Sequence, residues 1–188
     1  ASGFRLSMAV DMLKKSAVLI GVLALFFYMS LEITMTTWGK PLMTELFGGG
    51  AEASSNAGVV LSLFGVALTL GRFIASRIKN LTAIGARVII GMSLVSAIAI
   101  AVMIWTENPV LAIIAFMITG LAFGPIFPNI VGVTFARFDP KLHGSIFGII
   151  FTGGLLGATF VPKFIGNVSV GVSTVQESML IAAVMAGV

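Results

Sequence analysis

No cysteine occurs among the 188 residues, and there is a single histidine. The first absence excludes a disulfide framework, a thiolate metal site and a cysteine nucleophile. The second excludes a His-rich metal centre. Charge is also scarce: 10% of residues are Asp, Glu, Lys or Arg, against about 25% in an ordinary soluble domain. In their place stand 58% hydrophobic residues and a mean hydropathy of +1.12. That composition belongs to an integral membrane protein, so the chain is best divided into spans. The net charge of +4 does not indicate nucleic-acid binding, because the basic residues fall between apolar runs. No motif for a nucleophile–base pair or a metal is present, so neither an enzyme nor a cofactor is expected.

Residues 1–15 mix Phe4, Leu6, Met8, Val10, Met12 and Leu13 with Arg5, Asp11, Lys14 and Lys15. They read either as an amphipathic helix on the membrane surface or as a solvated linker. The stretch is too polar for the core of a cleavable signal, and the run after it continues into a full-length span. The sequence starts without Met, which suggests a start inside a longer polypeptide or a processed one.

The spacing of charges predicts spans at roughly 16–38, 57–78, 83–105, 110–134 and 144–165, with a sixth from Ser178 to Val188. A Gly-rich polar loop is expected from Gly39 to Asn56. Glu107-Asn108-Pro109 should join the third and fourth spans as a hairpin. The sixth run would rise only ~16 Å as a helix, about half a bilayer, so it is expected to be cut short. The fold class predicted is all-α: a polytopic bundle occupying 16–188 with six transmembrane helices in up-down order. Arg5, Lys14, Lys15, Arg72, Arg77, Lys79, Arg87, Arg137 and Lys141 would lie on one side and Lys40 and Lys163 on the other. By the positive-inside rule the N-terminus is then cytoplasmic, and the membrane expected is the inner (plasma) membrane of a bacterium.

The most informative stretch is Leu25–Pro41. Ser16 to Leu31 is free of charge, and then Glu32 appears well inside the span. A carboxylate at that depth is costly and normally faces a protein interior or a water-filled path. Tyr28 lies one turn before it, Thr36 one turn after, and Trp38 near the exit. Burial favours the protonated form of a carboxyl, which suits proton handling; a carboxylate also accepts hydrogen bonds from solute hydroxyls. The plainer alternative makes Glu32 a structural residue bonded to a neighbouring helix. Trp38 is ~120° round a straight helix from Glu32, so it is either a cavity residue on a bent helix or part of an interfacial belt.

Pro125 and Pro128 lie inside the fourth span, where each removes a backbone donor. A kink or break lining a pathway is expected, with Asn129 as the local polar residue; packing alone is the alternative. In the fifth span Gly148, Gly153, Gly154 and Gly157 favour close helix packing, and Thr152 is the plausible ligand there. Gly71, Arg72 and Arg77 read as a short basic cytoplasmic loop, and His143 as a solvated turn residue.

These stretches together resemble the C-terminal six-helix half of a major facilitator superfamily transporter. More narrowly, they resemble the fucose/glucose proton symporter-like sugar permeases. The resemblance is carried by Tyr28, Ser30, Glu32 and Trp38 in the first span (the family usually has Gly at Ser30), and by Gly71-Arg72 in the second. It continues in Gly124-Pro125-Ile126-Phe127-Pro128 and in Gly153, Gly154, Gly157 and Pro162. It implies half of a 12-helix alternating-access carrier, with a sugar-like solute bound at midplane and protons coupled to its movement. Partners implied are the lipid bilayer, an N-terminal six-helix half, the solute and the proton. The rival expectation is a solitary half-transporter kept as a structural subunit of a larger membrane assembly.

Overall fold

Lipid offers no hydrogen bonds, so an apolar run must satisfy its backbone internally, and a helix does so within one segment. A computed structural model describes residues 11–78 and 83–169, with Val175 and Met179 beyond them. Among these residues there is no strand, and five helices are long and apolar enough to cross a membrane. They are α1 (Ser16–Leu46), α2 (Gly50–Arg77), α3 (Gly85–Trp105), α4 (Pro109–Phe135) and α5 (His143–Ser169). The sixth span expected from Ser178 lies outside the described residues, apart from Met179, which is buried. Most of the 1–15 segment also lies outside them; 11–13 are helical, with Met12 turned inward.

The expected loop from Gly39 to Asn56 is corrected. α1 runs on through Pro41 to Leu46, because Leu42 and Met43 are buried against the bundle and hold the extra turns. The chain then reverses within Phe47–Gly49. Gly49 N–H donates to Thr44 O at 2.9 Å and Gly48 N–H to Glu45 O at 3.0 Å. This pair of bonds closes a helix with residues of positive φ, a conformation that favours glycine; Gly48 and Gly49 have φ of 90° and 75°. α1 is 31 residues long, ~46 Å at 1.5 Å per residue, well beyond the ~30 Å of hydrocarbon.

At the other hairpin, Asn108 accepts from the N–H groups of Val110 and Leu111 at 2.9 and 3.3 Å, and Pro109 occupies the first helical position. Both are favourable helix starts. After α4, His143 is not a solvated loop residue. It opens α5, its ring stacks on Phe135 with centroids 4.3 Å apart, and its Nε2 lies 3.1 Å from Phe135 O and 3.2 Å from Phe138 O. Both partners are acceptors, so that nitrogen carries the proton and satisfies carbonyls at the end of α4.

α4 is the most enclosed helix. It packs against α3 and α2 and touches α1, while α1 packs most extensively on α5. Small residues permit these contacts. A side chain at Gly153 would overlap Val22, one at Gly154 would overlap Met29, and one at Gly157 would overlap the Phe26 carbonyl and the Ser30 hydroxyl. Ser30 fits opposite Gly157 by returning its hydroxyl to Phe26 O at 2.5 Å. Gly71 of α2 and Gly124 of α4 press together in the same way, and Gly71 also meets Leu121 O. Pro125 has no N–H to give that carbonyl, so the freed oxygen sits against the helix that approaches most closely. Of the kink or break expected at Pro125 and Pro128, a break is not found: α4 is helical throughout.

Candidate functional site

Glu32 lies near the middle of α1, and Arg72 follows Gly71 on α2. With Gly71 fixed against α4, the next residue is turned ~100° round the helix, and Arg72 reaches α1. Its Nη2 lies 3.3 Å from Glu32 Oε1 and 3.4 Å from Oε2. The side chains are 45% exposed for Arg72 and 20% for Glu32, so the pair is neither dry nor freely solvated.

This corrects the expected cytoplasmic loop of Gly71, Arg72 and Arg77. α2 continues to Arg77 because Phe73, Ile74 and Ala75 keep the run apolar between the two arginines. Arg77 lays its guanidinium over the Phe73 ring of its own helix, 4.6 Å from the centroid.

Met29, Glu32, Ile33, Arg72, Phe127 and Phe151 line a cavity of about 220 Å³. That is below the roughly 300–1,000 Å³ of sites for drug-sized ligands, the scale of a small solute. Its aromatic side is built as a chain of rings. Phe127 meets Phe151 edge-on at 6.5 Å, and Phe151 stacks on Phe147 at 5.3 Å. Tyr28 packs behind, with centroids 5.8 Å from Phe123 and 6.1 Å from Phe127. Its buried hydroxyl interacts with both charges of the pair but closes no hydrogen bond of good geometry. A carboxylate and a guanidinium beside flat apolar rings can hold a polar solute with one apolar face.

The other expected site residues lie elsewhere. Thr36 donates to Ile33 O at 2.9 Å, and Thr152 is exposed and donates to Gly148 O at 2.7 Å, so both hydroxyls serve their own helices. Trp38 packs beside Gly166 of α5, with its Nε1 buried and unpartnered. Asn129 is buried, donates to Pro125 O at 2.8 Å and turns its free Oδ1 toward Gly85 of α3. Arg72, Phe127 and Phe151 are the residues that sequence reasoning missed. One signal was available for Arg72: an intramembrane carboxylate calls for a partner, and Arg72 stands at the end of the adjacent span.

The family model of the Major Facilitator Superfamily matches residues 4–187. The chain belongs to that superfamily. Major facilitators are membrane transporters, and the helices above form the kind of apolar bundle such a protein needs. Over 110 residues the chain is 34% identical to an uncharacterized MFS-type transporter of Yersinia pestis, a match covering 58% of this chain and 27% of that relative. The chain thus matches little more than a quarter of the relative's length. No solved structure matches it.

Proposed function

We propose that this chain is the C-terminal six-helix half of a secondary active transporter that moves a sugar-like small polar solute, coupled to protons, by alternating access. The membrane would be a bacterial inner membrane with the N-terminus cytoplasmic, and the partner an N-terminal six-helix half closing over the cavity. The observation that carries this reading is the Glu32–Arg72 pair, with Tyr28 behind it, on the wall of an aromatic-sided cavity. An intramembrane carboxylate on the wall of a solute-sized cavity is a natural proton acceptor and hydroxyl ligand. The narrower kinship with fucose/glucose proton symporter-like permeases rests on the short motifs around Glu32, Gly71, Pro125 and Gly153.

One observation favours the rival, a structural subunit without transport: Glu32 is ion-paired to a neighbouring helix through Arg72. The two part on the behaviour of Glu32→Gln, which keeps the shape and removes titration. In proteoliposomes holding the intact protein, a carrier should lose concentrative uptake or its pH dependence while its melting temperature stays close to that of the wild type. Unchanged uptake with lowered stability would favour the structural subunit.

A further inference from the structure

Arg72 commits little of its guanidinium to Glu32. A guanidinium carries five N–H donors in a planar fork that fits the two oxygens of an oxyanion side by side. Here Nη2 alone makes the contact, at 3.3 and 3.4 Å, longer than the roughly 2.7–2.9 Å of a charge-assisted N–H···O bond. The Tyr28 hydroxyl also lies against the guanidinium but closes no hydrogen bond of good geometry with it, and Arg72 lines the cavity.

We propose that Arg72 is a solute-binding residue and that the solute is a polyhydroxylated carboxylate, a sugar acid whose carboxylate takes the open side of the fork. This rests on the solute-cavity reading above. Phe127 and Phe151 supply flat apolar surfaces for the C–H face of the solute, and Glu32 remains for its hydroxyls.

Charge balance links this binding to a proton. The groups facing Glu32 are Tyr28 on its own helix, Arg72 from α2, Phe127 from α4 and Phe151 from α5. With Glu32 ionised, the pair is neutral, and an incoming carboxylate leaves a net negative charge among apolar walls. Partial burial makes an unpaired charge less favourable there than in water. A proton taken from solvent onto a Glu32 oxygen removes the internal anion, frees Arg72 for the solute and leaves the site neutral again. Proton and acid therefore bind cooperatively, each strengthening the other by the same factor.

The test is equilibrium binding to the intact purified protein, with gluconate set against sorbitol and glucuronate against glucose. Each acid should bind roughly tenfold to a hundredfold more tightly than its neutral counterpart, the range for a hydrogen bond to a charged group. Acid binding should weaken from acidic to alkaline pH. Glu32→Gln should bind the acid equally at both, and Arg72→Gln should erase the preference for the acid. Arg72→Lys keeps the charge without the fork and should retain part of it, with thermal melting confirming that each variant is folded. The proposal is overturned if neither acid binds, if the acids bind no more tightly than the neutral compounds, or if the preference survives Arg72→Gln. Neutral sugars taken up with pH dependence while the acids are ignored would remove the sugar-acid assignment and leave the transporter reading standing. Binding and uptake of none of the four would remove both.

Discussion

The guanidinium of Arg72 and the carboxylate of Glu32, forty positions apart in the chain, meet through one nitrogen at 3.3 and 3.4 Å. The contact exists because Gly71 lets α2 lie directly on α4 at Leu121 and Gly124. A loose pair on a cavity wall differs energetically from a tight buried one.

A double-mutant cycle on Glu32→Gln and Arg72→Gln should give a coupling of about 1 kcal/mol, the upper end for half-exposed pairs. The double variant should be destabilised by less than the sum of the two single variants. Thermal melting in one detergent reads all four proteins. A coupling of several kcal/mol would mean a structural clamp rather than an open contact.

Gly157 and Gly148, both on α5, should respond oppositely to alanine. At Gly157 a methyl group meets the Phe26 carbonyl and the Ser30 hydroxyl, whereas at Gly148 it meets nothing beyond the backbone of its own helix. Gly157→Ala should cost ~1–3 kcal/mol through overpacking. Gly148→Ala should be neutral or stabilise by up to ~1 kcal/mol, as glycine is a poor helix residue. Equal melting temperatures for the two variants would contradict the α1–α5 packing.

Gly49 has open space around it but a φ of 75°. With ψ at 177° this backbone is one that only glycine adopts readily, so Gly49→Ala should destabilise by ~1–3 kcal/mol from backbone strain alone. Limited proteolysis at the α1–α2 turn should show the variant cut faster than the wild type.

Asn129→Leu tests where the site ends. Asn129 bonds to Pro125 O and leaves Oδ1 unpartnered near Gly85, away from the cavity. Solute affinity should stay within about twofold, while stability shifts by no more than ~1 kcal/mol, because the amide is only half satisfied. A tenfold loss of affinity would place Asn129 at the solute.

How much of this was legible in the sequence depends on the range of the interaction concerned. An apolar run in lipid has only the helix to satisfy its backbone, so the charge-free stretches located α1 to α5 to within a few residues at most ends. Gly39–Asn56 misled because its polar composition resembles a loop. Burial of Leu42 and Met43 by neighbouring helices outweighed that composition, and only the two-bond closure at Gly48 and Gly49 stopped α1.

At the site, the sequence alone determined that a carboxylate would lie deep in the first span with a tyrosine one turn away, since those are properties of a single helix. The partner of that carboxylate was a tertiary decision. Which face each helix turns inward depends on how it rolls against its neighbours, and Gly71, Gly124 and Gly157 set that roll by removing side chains where backbones meet. The roll brought Arg72, Phe127 and Phe151 to Glu32, and it sent Trp38, Asn129 and Thr152 to other surfaces. Spacing along one helix carries no information about rotation relative to another, so only the packed bundle separated the residues that share a cavity from those that share a motif.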